Sequence, residues 1–246
     1  MVYQTVLHVV LFVYEQFVAY SIYTLPHYTN ESDFENTSYA EYAKDIQWAQ
    51  TNFYRFYTNW NLMLQYLFVI FLLVEDFLRL TRFFPKLVHD RFSMFNSYVF
   101  FSLVFPVCTM VAGTFWALFW YDRELIWPPY ADLILPFEMN IMIHGVIFIL
   151  VVLILVTYRR PLPKLLYSMA VLFMYNGAYG LLTLETFFET GHWVYVFQNK
   201  LDLIWNTVSG LPMQLMGFAF LYLGRVLSEA IHGEVVHDKN RFDVQK

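Results

Sequence analysis

The chain has 246 residues, of which 59% are apolar and only 14% charged, and its mean hydropathy is +0.45. A soluble domain, in which roughly a quarter of residues are charged, could not keep that much apolar surface from water, so a soluble globular protein and a disordered chain are both excluded. The net charge of −5 argues against nucleic-acid binding, which needs a concentrated basic surface, and the single cysteine, Cys108, permits neither an intrachain disulfide nor a cysteine-rich metal site.

Six segments are apolar over the roughly 20 residues that a helix needs to cross a bilayer. They lie at about 5–24, 58–78, 98–120, 137–157, 165–184 and 203–224. The first carries His8, Glu15 and Gln16 but lacks the basic start and small-residue cleavage site of a signal peptide, so it reads as a mature span. The third contains Pro106 and the sixth Pro212, both compatible with kinked helices whose freed carbonyls find partners on neighbours. The fourth ends at Arg159-Arg160-Pro161-Leu162-Pro163. The fold class that follows is an all-α membrane protein, a six-helix transmembrane bundle forming one domain over 1–246, with a short polar tail after about 226.

Basic residues set the orientation. Arg79, Arg82, Lys86 and Arg91 follow span two, Arg159, Arg160 and Lys164 follow span four, and Arg225, Lys239, Arg241 and Lys246 follow span six. The alternate loops hold Lys44, Arg55, Arg123 and Lys200. Eleven against four, strictly alternating, predicts both termini in the cytosol. The 25–57 loop, then on the outer side, holds two glycosylation sequons, Asn30-Glu31-Ser32 and Asn36-Thr37-Ser38.

Inside a bilayer a polar side chain is costly unless it meets a partner or water, so the polar residues of the spans are the informative ones. Thr58, Asn61 and Gln65 recur at i, i+3 and i+7 at the outer end of span two, one stripe of a helix in an otherwise almost wholly apolar segment. Asn140 and His144 share a face of span four, with His144 roughly 10 Å inside the outer boundary at Phe137. Hydrogen bonding between helices accounts for either stripe alone. The topology, however, lets Thr58 and His144 share one leaflet, and a threonine hydroxyl beside an imidazole is a nucleophile–base pair. Asn61, Gln65 and Asn140 would then supply amide groups to stabilise an oxyanion or orient the pair. Glu15 reads as lining a polar gap, Asp122-Arg123-Glu124 as a self-paired surface cluster, His192 as a loop residue, and Asn176, Gly177 and Gly180 as close helix packing. No His-x-x-x-His spacing, carboxylate cluster or Gly-x-Ser-x-Gly elbow is present, so no metal or cofactor is called for.

Several stretches resemble the androgen-induced and androgen-dependent (FAR-17a-like) family of multi-pass membrane hydrolases. They are Phe56-Tyr57-Thr58 through Gln65, Phe105-Pro106-Val107, Phe115-Trp116 leading into Tyr121-Asp122-Arg123-Glu124-Leu125-Ile126-Trp127-Pro128, Asn140 to His144, Gly191-His192-Trp193-Val194-Tyr195, and Leu221-Tyr222-Leu223-Gly224. The resemblance runs in order from span two to span six and leaves out span one and the sequon loop, which looks longer here. It implies hydrolysis of fatty acid esters of hydroxy fatty acids by a threonine nucleophile and a histidine, and these fall on Thr58 and His144. Where the family carries an acidic residue three positions after the threonine, this chain has Asn61.

The expected function is therefore an intramembrane carboxylic ester hydrolase acting through an acyl-threonine. Its substrate is a lipid ester drawn from the bilayer, and the site lies in the endoplasmic reticulum or the plasma membrane. Two alternatives remain at this point. One is a non-enzymatic multi-pass regulatory or lipid-binding protein, for which Thr58→Ser would change only stability. The other is a haem-bearing carrier, which would need paired axial ligands from the two intramembrane histidines, His8 and His144.

Overall fold

The structure is a computed structural model and describes residues 2–25, 40–81 and 84–233. The sequons at Asn30 and Asn36, together with Arg82, Lys239, Arg241 and Lys246, lie outside the described residues. Within them the chain forms helices and no strand: α1 (Val2–Tyr23), α2 (Ala43–Thr51), α3 (Tyr57–Thr81), α4 (Lys86–Tyr121), α5 (Ala131–Ile134), α6 (Phe137–Thr157), α7 (Leu165–Thr190), α8 (Val196–Asn199) and α9 (Leu203–His232). Six of these, α1, α3, α4, α6, α7 and α9, are long and apolar enough to cross a membrane, and they coincide with the six expected spans. The chain is a multi-pass membrane protein.

Three boundaries differ from the sequence reading. The third helix starts at Lys86 rather than near 98, the fifth runs to Thr190 rather than 184, and the sixth to His232 rather than 224. At 36 residues α4 is about 54 Å long, well beyond the roughly 30 Å of a hydrocarbon core, so its polar first turns extend past the apolar layer. Hydropathy marks only the immersed part of such a helix, which is why its start was missed. Pro106 lacks the N–H that would bond one turn back, and the turn before it widens into a π-helical stretch over Phe100–Val104.

Helix α4 is the centre of the bundle: 72% of its most apolar window is buried, against 11% for α7 and 17% for α9. Phe68, Leu72, Phe100, Phe101, Val104 and Ile147 form the main core where α1, α3 and α6 meet α4. Helix α9 lies against α4 through bare backbone. A Cβ at Gly224 would come within 2.6 Å of the Phe105 ring, so that position requires glycine, and one at Gly217 would come within 2.8 Å of Met110 Sδ and displace that side chain.

Span two is less apolar at its far end than the sequence reading allowed. Glu75 and Asp76, about 25 Å along α3 from Thr58, are buried at the centre of a charged cluster. Asp76 Oδ2 meets His8 Nδ1 at 2.8 Å, and Glu75 accepts from Arg79 at 2.9 Å, Tyr158 at 2.9 Å and Asn96 at 2.6 Å. The Arg160 guanidinium stacks 4.1 Å from the Tyr158 ring, with Nη1 3.6 Å from Glu75 Oε2. Glu15 is buried on α1, as a residue lining the interior would be.

Candidate active site

Thr58 stands in the first turn of α3, where backbone N–H groups have no partner one turn back. The segment before it is anchored to α7: Arg55 donates to Thr186 Oγ1 at 2.7 Å and to Glu189 Oε2 at 2.7 Å. The Tyr57 hydroxyl donates to Asn176 Oδ1 at 2.6 Å. These bonds fix where α3 begins, and so where the Thr58 hydroxyl points.

His144 lies in the middle of a second π-helical turn, Met142–Val146, inside α6. Such a turn frees main-chain carbonyls, and side chains from two other helices satisfy them. Tyr14 donates to the Met142 carbonyl at 2.7 Å and Trp116 Nε1 to the His144 carbonyl at 3.2 Å. The Phe115 ring stacks on the imidazole, 3.7 Å between centroids and 13° between planes. The imidazole is thus held in orientation on one face and at its own backbone.

The two residues singled out from polarity meet: Thr58 Oγ1 and His144 Nε2 are 3.0 Å apart. On the other side of the ring, Nδ1 lies 2.6 Å from Asn140 Oδ1, the i, i+4 partner on the same helix. With Asn140 accepting from Nδ1–H, the Nε2 lone pair faces the threonine hydroxyl. A hydroxyl, a neutral imidazole and an orienting amide in line form a unit that can activate an oxygen nucleophile.

The rest of the stripe on α3 divides. Gln65 Nε2 is engaged by Asn61 Oδ1 at 3.2 Å and the Val104 carbonyl at 3.5 Å, so it is not a free donor for the site. Asn61 Nδ2 and Asn140 Nδ2 are buried and have no hydrogen-bond partner among the described residues. His192 is exposed on its loop and stays away from the pair. Asp122-Arg123-Glu124 is not self-paired as expected, because Arg123 reaches Asp132 instead. The haem reading needs the two intramembrane imidazoles as a pair, and they sit in separate networks: His144 is engaged at both ring nitrogens, by Thr58 and Asn140, while His8 bonds through Nδ1 to Asp76.

Sequence reasoning missed Tyr195. Gly191, with φ of 73°, caps α7 in the left-handed region and turns the chain back, so that Trp193 stacks on Phe187 and Tyr195 lies over the start of α3. The Tyr195 hydroxyl accepts from the Tyr57 N–H at 2.9 Å, next to both the backbone and the hydroxyl of Thr58. Burial holds the phenol above its ordinary pKa range, so it stays protonated and able to donate. Its place in the Gly191–Tyr195 stretch was the one signal in the sequence, and it carried no chemistry.

A cavity of about 730 Å³ opens onto Thr58, His144, Phe115 and Tyr195. Its walls come from α3, α4, α7, α9 and the segments around Trp48 and Trp127, and among the described residues no Asp, Glu, Lys or Arg lines it. Such a chamber fits an apolar ligand with one reactive polar group.

The model of the FAR-17a/AIG1-like protein family matches residues 3–229, so it takes in α1, which the sequence resemblance had left out. The androgen-dependent TFPI-regulating protein of Homo sapiens is 32% identical over 151 residues, 61% of this chain and 65% of that protein. The Mesocricetus auratus protein of the same name is 34% identical over 143 residues, 57% and 60% of the two chains. The androgen-induced gene 1 protein of Homo sapiens is 28% identical over 130 residues, 52% and 54%. Each match spans less than two thirds of the curated relative's own length. No solved structure matches the chain.

Proposed function

The chain belongs to the FAR-17a/AIG1-like family, and from that premise we propose that it is an intramembrane threonine hydrolase of fatty acid esters of hydroxy fatty acids. The observation that carries the reading is the line Thr58 Oγ1, His144, Asn140, with contacts of 3.0 and 2.6 Å, at the wall of an apolar cavity. His144 Nε2 takes the Thr58 proton as Oγ1 attacks the ester carbonyl. The tetrahedral oxyanion accepts from the Tyr195 O–H, and collapse expels the hydroxy fatty acid, whose oxygen takes the proton back from His144. A water then attacks the acyl-threonine with His144 as base, and the fatty acid leaves as Thr58 regains its proton. Asn140 keeps the imidazole in the tautomer that can accept.

The cation bias supports both termini in the cytosol and the reactive pair on the outer or lumenal side, in the endoplasmic reticulum or the plasma membrane. The test is turnover of a defined ester of this class by purified protein. Hydrolysis that Thr58→Ala abolishes supports the reading, and equal rates in wild type and variant sink it. The name of the first relatives supports a second reading, in which this chain regulates another protein without chemistry, and a wild type inert toward every ester tried would favour it.

Tyr195→Phe separates the oxyanion donor from the nucleophile. Removing one such donor costs about 10²–10³ in kcat, with KM little changed. Steady-state kinetics check this, and a kcat within about threefold of wild type would remove Tyr195 from the mechanism.

A further inference from the structure

The cavity does not end at the reactive pair. One limb runs between α7 and α9, walled by Phe173, Gly177 and Leu181 on one side and Gly210, Leu211 and Gln214 on the other. Phe173, Leu181 and Leu211 are also 60%, 69% and 66% exposed on the outer surface of the bundle. A side chain that lines an interior chamber and is mostly exposed outside marks a mouth. Glycines border this mouth. A Cβ at Gly177, Gly180 or Gly210 would meet no heavy atom within 4 Å, whereas at Gly217, two turns deeper on α9, the helices are in tight contact. Gly177 and Gly180 are therefore the sides of a gap rather than the close helix packing read from the sequence.

The mouth lies within two membrane-crossing helices, so the medium outside it is lipid acyl chain. Inside, the limb is apolar but not blank. Asn206, only 6% exposed, has an unpaired Oδ1, and the Thr114 hydroxyl and Gln214 Nε2 also lack partners among the described residues; all three residues line the cavity. Facing contacts pair Phe105 with Gly224 and Met110 with Gly217, an antiparallel register that sets Thr114 level with Gln214. Buried donors and acceptors without partners fit a ligand that brings its own polar groups into an apolar slot.

We propose that the α7–α9 gap is a lateral portal through which a long-chain acyl ester enters from the leaflet on the Thr58 side, with one acyl chain left lying in the gap between Gly177 and Gly210. This rests on the hydrolase reading for its turnover test and on acyl binding alone for its second test. Gly177→Phe with Gly210→Phe places its rings in open space and replaces glycine by a better helix former at both positions. In lipid nanodiscs, the ratio of 4-nitrophenyl palmitate to 4-nitrophenyl acetate turnover falls at least about tenfold, because the two rings bar the long chain from the gap and leave the short ester its access. An unchanged ratio overturns the portal. If wild type and Thr58→Ala hydrolyse both esters equally, the hydrolase reading has failed and the portal is judged by photolabelling. A diazirine-bearing palmitate methyl ester then labels α7 and α9 peptides in wild type, and labelling drops at least about tenfold in the double variant. Equal labelling overturns the portal whatever the enzyme does. Should the double phenylalanine variant not fold, Gly177→Leu with Gly210→Val is read in both assays by the same criteria.

Discussion

Thr58→Ala and His144→Ala each leave less than about 10⁻³ of wild-type ester hydrolysis, and the double variant is no worse than either alone. The expectation follows from the contact between them. A threonine hydroxyl 3.0 Å from an imidazole nitrogen attacks only if that nitrogen takes its proton, and the imidazole has nothing to activate once the hydroxyl is gone. Groups that act as one unit lose activity once, so the two single losses do not multiply. A structural pair behaves otherwise. Deleting one neutral hydrogen bond costs about 1 kcal/mol of stability and would leave rates per folded molecule nearly unchanged. Thr58→Ser sharpens the distinction, because it keeps the hydroxyl and drops only a methyl. It retains a measurable fraction of kcat if Thr58 is the nucleophile. Purified proteins compared at equal folded concentration settle the matter: multiplying losses, or full activity in Thr58→Ala, would refute the pair.

What the sequence could reveal depended on whether the signal was local. The spans were legible because hydropathy is a property of a contiguous window, and the window failed where α4, α7 and α9 run on past their most apolar stretch. Thr58 and His144 were legible because each is a polar exception in an apolar stretch, and the order of the spans put both in one leaflet. Asn140 was legible through its i, i+4 spacing to His144, although the choice between orienting and oxyanion roles needed the 2.6 Å contact to Nδ1. Tyr195 was not legible. Its position over α3 depends on a turn at Gly191 and on the anchoring of Arg55 to α7, contacts between residues more than a hundred positions apart. Nor can a glycine in a helix say whether it admits a neighbour's side chain or leaves a gap. Gly217 does the first and Gly177 the second, from the same residue type.

The charged cluster at the other end of α3 makes the same point energetically, and it carries the largest expected effect on stability. Glu75 and Arg160 are each 1% exposed. Glu75 is shared by Arg79, Tyr158, Asn96 and Arg160, while the Arg160 guanidinium lies among the Tyr158, Phe68 and Phe100 rings. Because the Arg160 nitrogens have no hydrogen-bond partner among the described residues, its charge is held by Glu75 at 3.6 Å and by the faces of those rings. Glu75→Leu removes the one carboxylate common to both arginines and leaves buried positive charge uncompensated. Breaking a buried pair from one side costs about 3–5 kcal/mol. The variant's thermal midpoint in detergent therefore falls by about 10 °C. Replacing both partners tests the cause. Glu75→Leu with Arg160→Met removes a charge of each sign and fills the space with apolar side chains, so it is more stable than Glu75→Leu alone. If the double variant is the less stable of the two, the penalty lies in lost packing rather than in unpaired charge. Neither substitution touches the Thr58 end of α3, so ester turnover per folded molecule stays near wild type in both. A cluster that only holds the bundle together differs in this way from a site that reacts.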